Sequence, residues 1–291
     1  MKNRRILLLG FLLGLLYVLY SFQSNQASDY LINEQHLCSP EGAVDLLLVI
    51  LSGSNKFSRR QSVRETYASL SRNNTGNVRY LFILGFDPKN DQTVQKEIEK
   101  EKDVYNDIVQ ADFKDTYFNL SRKVIKVLDW AVRFCGHTKY IMKLDDDTWL
   151  NVPKIVEFLK KTSINFTNSV IGQAHINIKP FRNAKHKFFV PRHEFNKTYF
   201  PHYNSGSGYI MTPQVAHAVL SKSKNIPFFK FEDVYLGMVL QRLKFTITNV
   251  TQMRYWVHSE KKSPCLFKNK YLIAHKVSPS YMRRIWKTSC K

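Results

Sequence analysis

An apolar run, Tyr140-Ile141-Met142, passes through Lys143-Leu144 and ends in three consecutive carboxylates, Asp145-Asp146-Asp147, before Thr148-Trp149-Leu150. Adjacent like charges repel, and a carboxylate beside a core must be solvated or compensated. A divalent cation is the usual compensation, because hard ions such as Mg²⁺ and Mn²⁺ prefer oxygen ligands. A cation with open positions can then hold a diphosphate. A solvated acidic turn is the plainer alternative. Most acidic triplets lie in polar loops, whereas this one stands at the carboxyl end of a strand, where open α/β sheets bind ligands.

The flanking pattern predicts such a sheet. Val44 to Leu51 is a continuous apolar run, typical of a strand buried on both faces. Arg59 to Leu70 reads as a helix, Tyr80 to Gly85 as a strand, Thr93 to Val104 as a charged helix and Ile108 to Ala111 as a short strand. Leu120, Val124, Val127, Leu128, Ala131 and Phe134 share one helical stripe. Tyr140 to Leu144 is the strand that delivers the aspartates, and Val152 to Lys161 follows as a helix with Pro153 near its start. This order predicts an α/β fold, a mostly parallel central sheet with helices on both faces. After Gln173 the pattern loosens. Lys179 to Tyr203, basic and aromatic, reads as a binding loop region; Gly206-Ser207-Gly208-Tyr209 starts another strand and Pro213 to Ser221 another helix.

Upstream, Met1-Lys2-Asn3-Arg4-Arg5 precedes an apolar stretch from Ile6 to Phe22. As a helix it is about 25 Å long, which suits a thin, early-secretory membrane. Basic flanks stay cytoplasmic. Residues 1–5 are therefore expected as a cytoplasmic tail, 6–22 as a transmembrane signal-anchor, 23–42 as a polar stem, and 43–291 as one lumenal domain of a type II membrane protein. A cleaved signal peptide shares the basic start, but Tyr17 to Phe22 is bulky and lacks a small-x-small cleavage pattern. Asn73, Asn119, Asn165, Asn196 and Asn249 each open an N-x-S/T acceptor sequence. Cys38, Cys135, Cys265 and Cys290 suit an oxidising lumen, show no zinc-ligand spacing, and are assigned no bridges.

The formal net charge of +21 first suggests nucleic acid or an anionic surface. A lumenal domain does not meet nucleic acid, and no nucleic-acid module is present. An anionic nucleotide substrate, an acidic glycan or membrane headgroups each fit; surplus lysines that only solubilise the domain are the alternative. After the first strand come Arg59, Arg60 and Arg64, of which Arg60 and Arg64 share a helix face. Their forks suit phosphate or ribose, unless the face is merely solvated. Glu232-Asp233 follows the aromatic run Phe228 to Phe231. Asp233 is a candidate general base there, or a cap for the helix from Val234 to Leu243.

Taken in order, these segments carry a signature: Arg59-Arg60 to Arg64-Glu65-Thr66-Tyr67, Phe82 to Gly85, Asp112 to Lys123, Lys143 to Asn151, Tyr203 to Tyr209, Glu232 to Gly237, and His275-Lys276-Val277-Ser278-Pro279 with Met282 and Trp286. The chain resembles glycosyltransferase family 31, the β-1,3-galactosyl- and β-1,3-N-acetylglucosaminyltransferases, from about Val44 to its end. The resemblance implies a GT-A nucleotide-sugar-binding fold, a Golgi type II protein, a UDP-sugar donor and a divalent metal, commonly Mn²⁺. It implies Asp147, His275 and Asp145 as metal ligands and Asp233 as catalytic base. Arg59, Arg60, Arg64, Lys143 and Asp146 fall on the UDP-sugar side, and Tyr203, Gly206, Gly208 and Glu232 in the acceptor or donor pocket. An inverting transfer needs just this division, one carboxylate to take the acceptor proton and a separate acidic cluster for the metal. The chain departs from the family pattern at Asn204 and Val239, where cysteines are common, and at Phe200 and His202.

The expected function is an inverting β-1,3-glycosyltransferase. It moves galactose, or else N-acetylglucosamine, from a UDP-sugar to a glycan acceptor on glycoprotein or glycolipid. A catalytically silent glycan-binding protein on the same scaffold is the rival, and the intact Asp147, Asp233 and His275 weigh against it.

Overall fold

A computed structural model describes residues 30–39, 44–254 and 262–290. The expected anchor and most of the stem lie outside those residues. Among the described residues no helix is long and apolar enough to cross a membrane.

The central sheet is built from β1 (Tyr30–Ile32), β2 (Leu46–Leu51), β3 (Val78–Phe86), β4 (Ile108–Lys114), β5 (Tyr140–Asp145), β7 (Ser169–His175), β8 (Tyr203–Met211) and β9 (Thr246–Asn249), in the order β1-β4-β3-β2-β5-β8-β7-β9. Strands β4, β3, β2 and β5 run parallel, whereas β8 is antiparallel to both its neighbours and β1 to β4. A smaller sheet joins β6 (Trp149–Leu150), β10 (Met253–Arg254) and β11 (Ile273–Ala274) in the order β10-β11-β6. It follows directly on the aspartates, and His275 comes just after its middle strand.

Helices α1 (Phe57–Arg64), α2 (Gln92–Tyr105) and α3 (Leu120–Cys135) make the crossovers of the parallel part. They are followed by α4 (Val152–Lys161), α5 (Pro213–Ser223), α6 (Glu232–Leu243), α7 (Pro264–Lys270) and α8 (Pro279–Lys287). Several starts are written in the sequence. Asn151, Thr212 and Ser278 each accept a hydrogen bond from a first-turn amide, with proline just inside the helix.

Every residue of β2 is buried, and alternate side chains enter different cores. Leu47, Val49 and Leu51 face α3, α5 and α6; Leu46, Leu48 and Ile50 face α1, α2, α4 and the small sheet. The expected helix from Arg59 to Leu70 stops early. α1 ends at Arg64, and a 3₁₀ turn covers Tyr67–Ser71. At the break the Thr66 hydroxyl donates to the Ser62 carbonyl at 2.6 Å, a side chain competing with the helix ladder. The expected strand at Ile108 runs on to Lys114.

The cysteines, left unpaired in the sequence reading, form two bridges, Cys38–Cys135 and Cys265–Cys290. The first ties the segment before β2 to the end of α3; the second ties α7 to the chain's tail.

Candidate active site

Strand β5 ends beside β2, and the turn after it places the three aspartates in three environments. Asp146 points back under the sheet edge, where its carboxylate accepts from the Ser52 hydroxyl at 2.7 Å and from Arg59 at 2.8 Å. Burial pushes its pKa up, and Arg59 pulls against that. Asp145 and Asp147 point the other way, toward His275. The Nε2 of His275 lies 3.0 Å from Asp147 Oδ1 and 3.6 Å from Asp145 Oδ2. Burial opposes ionisation of Asp147, but His275 and then Arg59 hold it below its usual value.

One ligand atom from each of Asp145, Asp147 and His275 lies within 4.8 Å of the others. Ligand atoms about 2.1 Å from one ion and near right angles are about 3 Å apart, close to this spacing. Two carboxylates and an imidazole suit Mn²⁺ or Mg²⁺ rather than a thiophilic metal. The donor set therefore fits a divalent cation.

Lys143 joins this cluster to α6. Its buried ammonium lies 2.9 Å from Asp145 Oδ1 and 3.4 Å from Glu232 Oε2, and it also donates to the Gly206 carbonyl. Burial pulls the ammonium down, but Asp145 and Glu232 more than offset this and hold it above its usual value. Glu232 accepts from the Tyr209 hydroxyl at 2.6 Å. Burial pushes the Glu232 carboxyl up to about 7, against the pull of Lys143. A methyl group on Gly206 would come within 2.7 Å of Glu232 Oε2, and one on Gly208 within 2.8 Å of Ile273 Cδ1. Both positions need glycine so that β8 can pass between α6 and the small sheet.

Asp233 stands in the first turn of α6 and is not its cap; that position belongs to Phe231. One carboxylate oxygen accepts from the Val234 amide at 2.8 Å. Among the described residues no side chain donates to the other. Burial raises its pKa. Asp233 thus offers a half-buried basic oxygen outside the cation cluster.

The structure brings Arg59, Lys143, Asp145, Asp146, Asp147, Glu232, Asp233 and His275 together. It turns Arg60 and Arg64 elsewhere, which corrects the expectation of a shared phosphate-binding face. Arg60 is fully buried and reaches Glu101 at 2.6 Å and the Gly53 carbonyl at 2.7 Å. Arg64 forks onto Asp107, with both bonds at 2.7 Å, and reaches Glu101 at 2.6 Å. Their donors are occupied inside the protein. Tyr203 and Glu232 are buried too, so neither lines an opening; Tyr203 stacks on His175. Of the acceptor asparagines, Asn73, Asn165, Asn196 and Asn249 are exposed. Asn119 is half-buried, and its amide donates to the Lys114 carbonyl at 2.8 Å.

Sequence reasoning missed Ser52, Asp115, Lys123, Tyr117 and Tyr209. Buried Lys123 donates to the Ser52 carbonyl at 2.6 Å and to both oxygens of Asp115 at 2.8 Å. Ser52 in turn holds Asp146. A lysine beside the apolar stripe of α3 was the available signal. A cavity of about 690 Å³ opens between Arg192, Phe200, Met238 and Arg242; Glu194 lines it, and none of the carboxylates of the candidate site does.

The Galactosyltransferase family model matches residues 58–251, a span that holds the aspartate triplet and Asp233 and stops short of His275. Beta-1,3-galactosyltransferase 1 of Homo sapiens and of Mus musculus is 30% identical over 260 residues, covering 89% of this chain and 77% of the relative. Beta-1,3-galactosyltransferase 5 of Homo sapiens is 30% identical over 242 residues, covering 83% and 77%. A solved galactosyltransferase, LgtC, in complex with donor and acceptor sugar analogues, is a more distant likeness: TM-score 0.46, 9% identity, covering 84% of this chain and 98% of that one. The chain belongs to the galactosyltransferase family, glycosyltransferase family 31.

Proposed function

We propose that the protein is an inverting, metal-dependent β-1,3-galactosyltransferase of the GT-A type that uses UDP-galactose. The observation that carries this reading is the free carboxylate oxygen of Asp233, set apart from the Asp145–Asp147–His275 cluster. Asp145, Asp147 and His275 would hold the cation, Mn²⁺ by its donor set; when bound it supplies positive charge to the diphosphate of the donor. Arg59, already between Asp146 and Asp147, positions the triplet. Lys143 fixes Asp145 against α6, and Glu232 and Tyr209 fix Lys143.

Asp233 takes the proton of the acceptor hydroxyl as that oxygen bonds to the anomeric carbon of galactose. The bond from that carbon to the phosphate oxygen breaks, UDP leaves with the electron pair, and the configuration inverts. Burial that raises the basicity of Asp233 helps it accept the proton.

The same reading places the protein in the Golgi membrane as a single-pass type II protein. The apolar stretch 6–22 behind a basic flank supports it. So do the paired cysteines, since disulfides persist in oxidising compartments. The test is turnover by the full-length chain in detergent, with UDP-galactose against UDP-N-acetylglucosamine, with and without Mn²⁺, and the product linkage read by NMR. Galactose in a β-1,3 linkage, lost on chelation, is expected. Transfer of N-acetylglucosamine in preference would overturn the donor, and metal-free turnover would overturn the cation role.

A further inference from the structure

The segment 179–203 carries six Lys and Arg residues and a single acid, Glu194. It has almost no regular secondary structure, yet it is internally fixed. Arg182 donates to the carbonyls of Val190 at 2.7 Å, Phe195 at 2.7 Å and Lys197 at 3.1 Å. Phe181 stacks on His186 with ring centroids 3.8 Å apart. Three backbone carbonyls on one guanidinium make a rigid loop, not a solvated coil.

This loop lies against the base. Phe188 packs edge-on to Phe231, 5.9 Å between centroids, and Phe231 immediately precedes Glu232-Asp233. Lys187 sits 4.9 Å from the ring of Tyr117 and 5.3 Å from that of Phe188. Tyr117 itself is close enough to Asp233 that, after burial, this carboxylate does most to push its phenol up, to about 12. Tyr117, Phe118 and Phe188 are nevertheless 43%, 52% and 38% exposed. Open aromatic faces beside a base suit the apolar face of a pyranose ring.

The charges on this wall differ in kind. Lys230 is neutralised by Glu194 at 2.9 Å. Lys187 has no carboxylate partner among the described residues and is held only by two ring faces. A cation oriented by aromatic rings and lacking a counter-ion is ready for an incoming anion.

We infer that this wall is the acceptor subsite and that Lys187 selects an acceptor glycan carrying a negative charge, as carboxylate or sulfate, near the accepting sugar. The inference rests on the galactosyltransferase reading for the word acceptor. Binding can be measured without turnover, so the two fail separately.

The experiment measures binding of neutral N-acetyllactosamine, its 6-sulfated form and a glucuronate-terminated disaccharide to the full-length chain in detergent. UDP affinity and donor hydrolysis are measured alongside. Wild type should bind one or both charged sugars about threefold to tenfold tighter than the neutral one, the net scale of a single hydrogen bond at an exposed site. The sulfate and glucuronate arms tell which anion is read. Lys187→Ala should erase the preference, Lys187→Arg should keep it, and UDP affinity should be unchanged in both. Equal binding of charged and neutral sugars by wild type would overturn the inference. So would an equal loss for all sugars, or weakened UDP binding, in Lys187→Ala. Absence of donor hydrolysis with the charge preference intact would instead count against the transferase reading.

Discussion

Two charge networks, one buried and one partly open, lie on the same sheet, and they are balanced differently. In one, Arg60 and Arg64 face Glu101 and Asp107, two cations for two carboxylates, each arginine satisfied at 2.6–2.7 Å. In the other, Asp145, Asp146, Asp147, Glu232 and Asp233 share two permanent cations, Arg59 and Lys143, with His275 as a third only if protonated. The first network is closed and holds α1 to the sheet. The second is short of positive charge and, among the described residues, leaves one oxygen of Asp233 without a side-chain donor, so burial drives the pKa values of Glu232 and Asp233 upward. The lesson is that burial and ion pairing alone do not mark a site. An uncompensated surplus of one sign does, because it needs a ligand of the other.

The sharpest way to break the second network is Asp147→Ala. Activity should become undetectable and Mn²⁺-dependent UDP binding should vanish in calorimetry, while the metal-free variant keeps its fold by circular dichroism, with a lower melting temperature because the contacts of Asp147 to His275 and Arg59 are gone. Retained Mn²⁺-dependent binding would remove Asp147 from the ligand set. The matching change in the first network is Arg64→Ala, which leaves the buried Asp107 without its arginine. A loss of about 3–5 kcal/mol in urea unfolding is expected, the scale for stranding a buried charge. A stable variant with weakened UDP binding would return Arg64 to the donor site.

The contrast between networks was only half legible in the sequence. The strand run Tyr140 to Leu144 and the stripe from Leu120 to Phe134 announced β5 and α3, because burial on a sheet or a helix face imposes a period. The aspartate triplet stood out because three like charges follow a strand at the end where open sheets bind ligands, whereas Asp233 could be read locally as base or cap and was singled out by the family resemblance. Arg60 and Arg64 were misread because their partners, Glu101 and Asp107, lie about forty residues away, and a spacing of four says nothing about which side of the helix meets the sheet. Cys38–Cys135 spans 97 residues and was beyond local reading in the same way. Ser52 and Lys123 escaped because their role is to hold Asp146 and Asp115, which only the fold brings near.

Within the second network, Asp233→Asn separates base from ligand. The amide keeps the oxygen that accepts from Val234 and cannot take a proton. Turnover should fall by about 10²-fold or more, the usual scale for a general base, with UDP affinity near wild type. If turnover persisted, or if UDP binding fell with it, another group would have to be the base.

The smallest effect is a pH dependence at Glu232. Its carboxyl is faced by Lys143, Asp233, Tyr209 and Asp145, and burial still places it at about 7, above the ordinary value of 4.5. Below about pH 4.5 the group is protonated whether the chain is folded or not, and it makes no difference. Between that point and about pH 7 the unfolded chain ionises while the folded one keeps its proton, so folding stability falls as pH rises. Above about pH 7 both are ionised and the loss is complete. Glu232→Gln cannot ionise and should lack this slope, so the metal-free variant should gain on wild type by on the order of 1 to 3 kcal/mol between pH 5 and pH 7.5. Parallel urea-unfolding curves across that range measure the difference. A constant gap would mean that Lys143 neutralises Glu232 completely, and the second network would then be as closed at this end as the first.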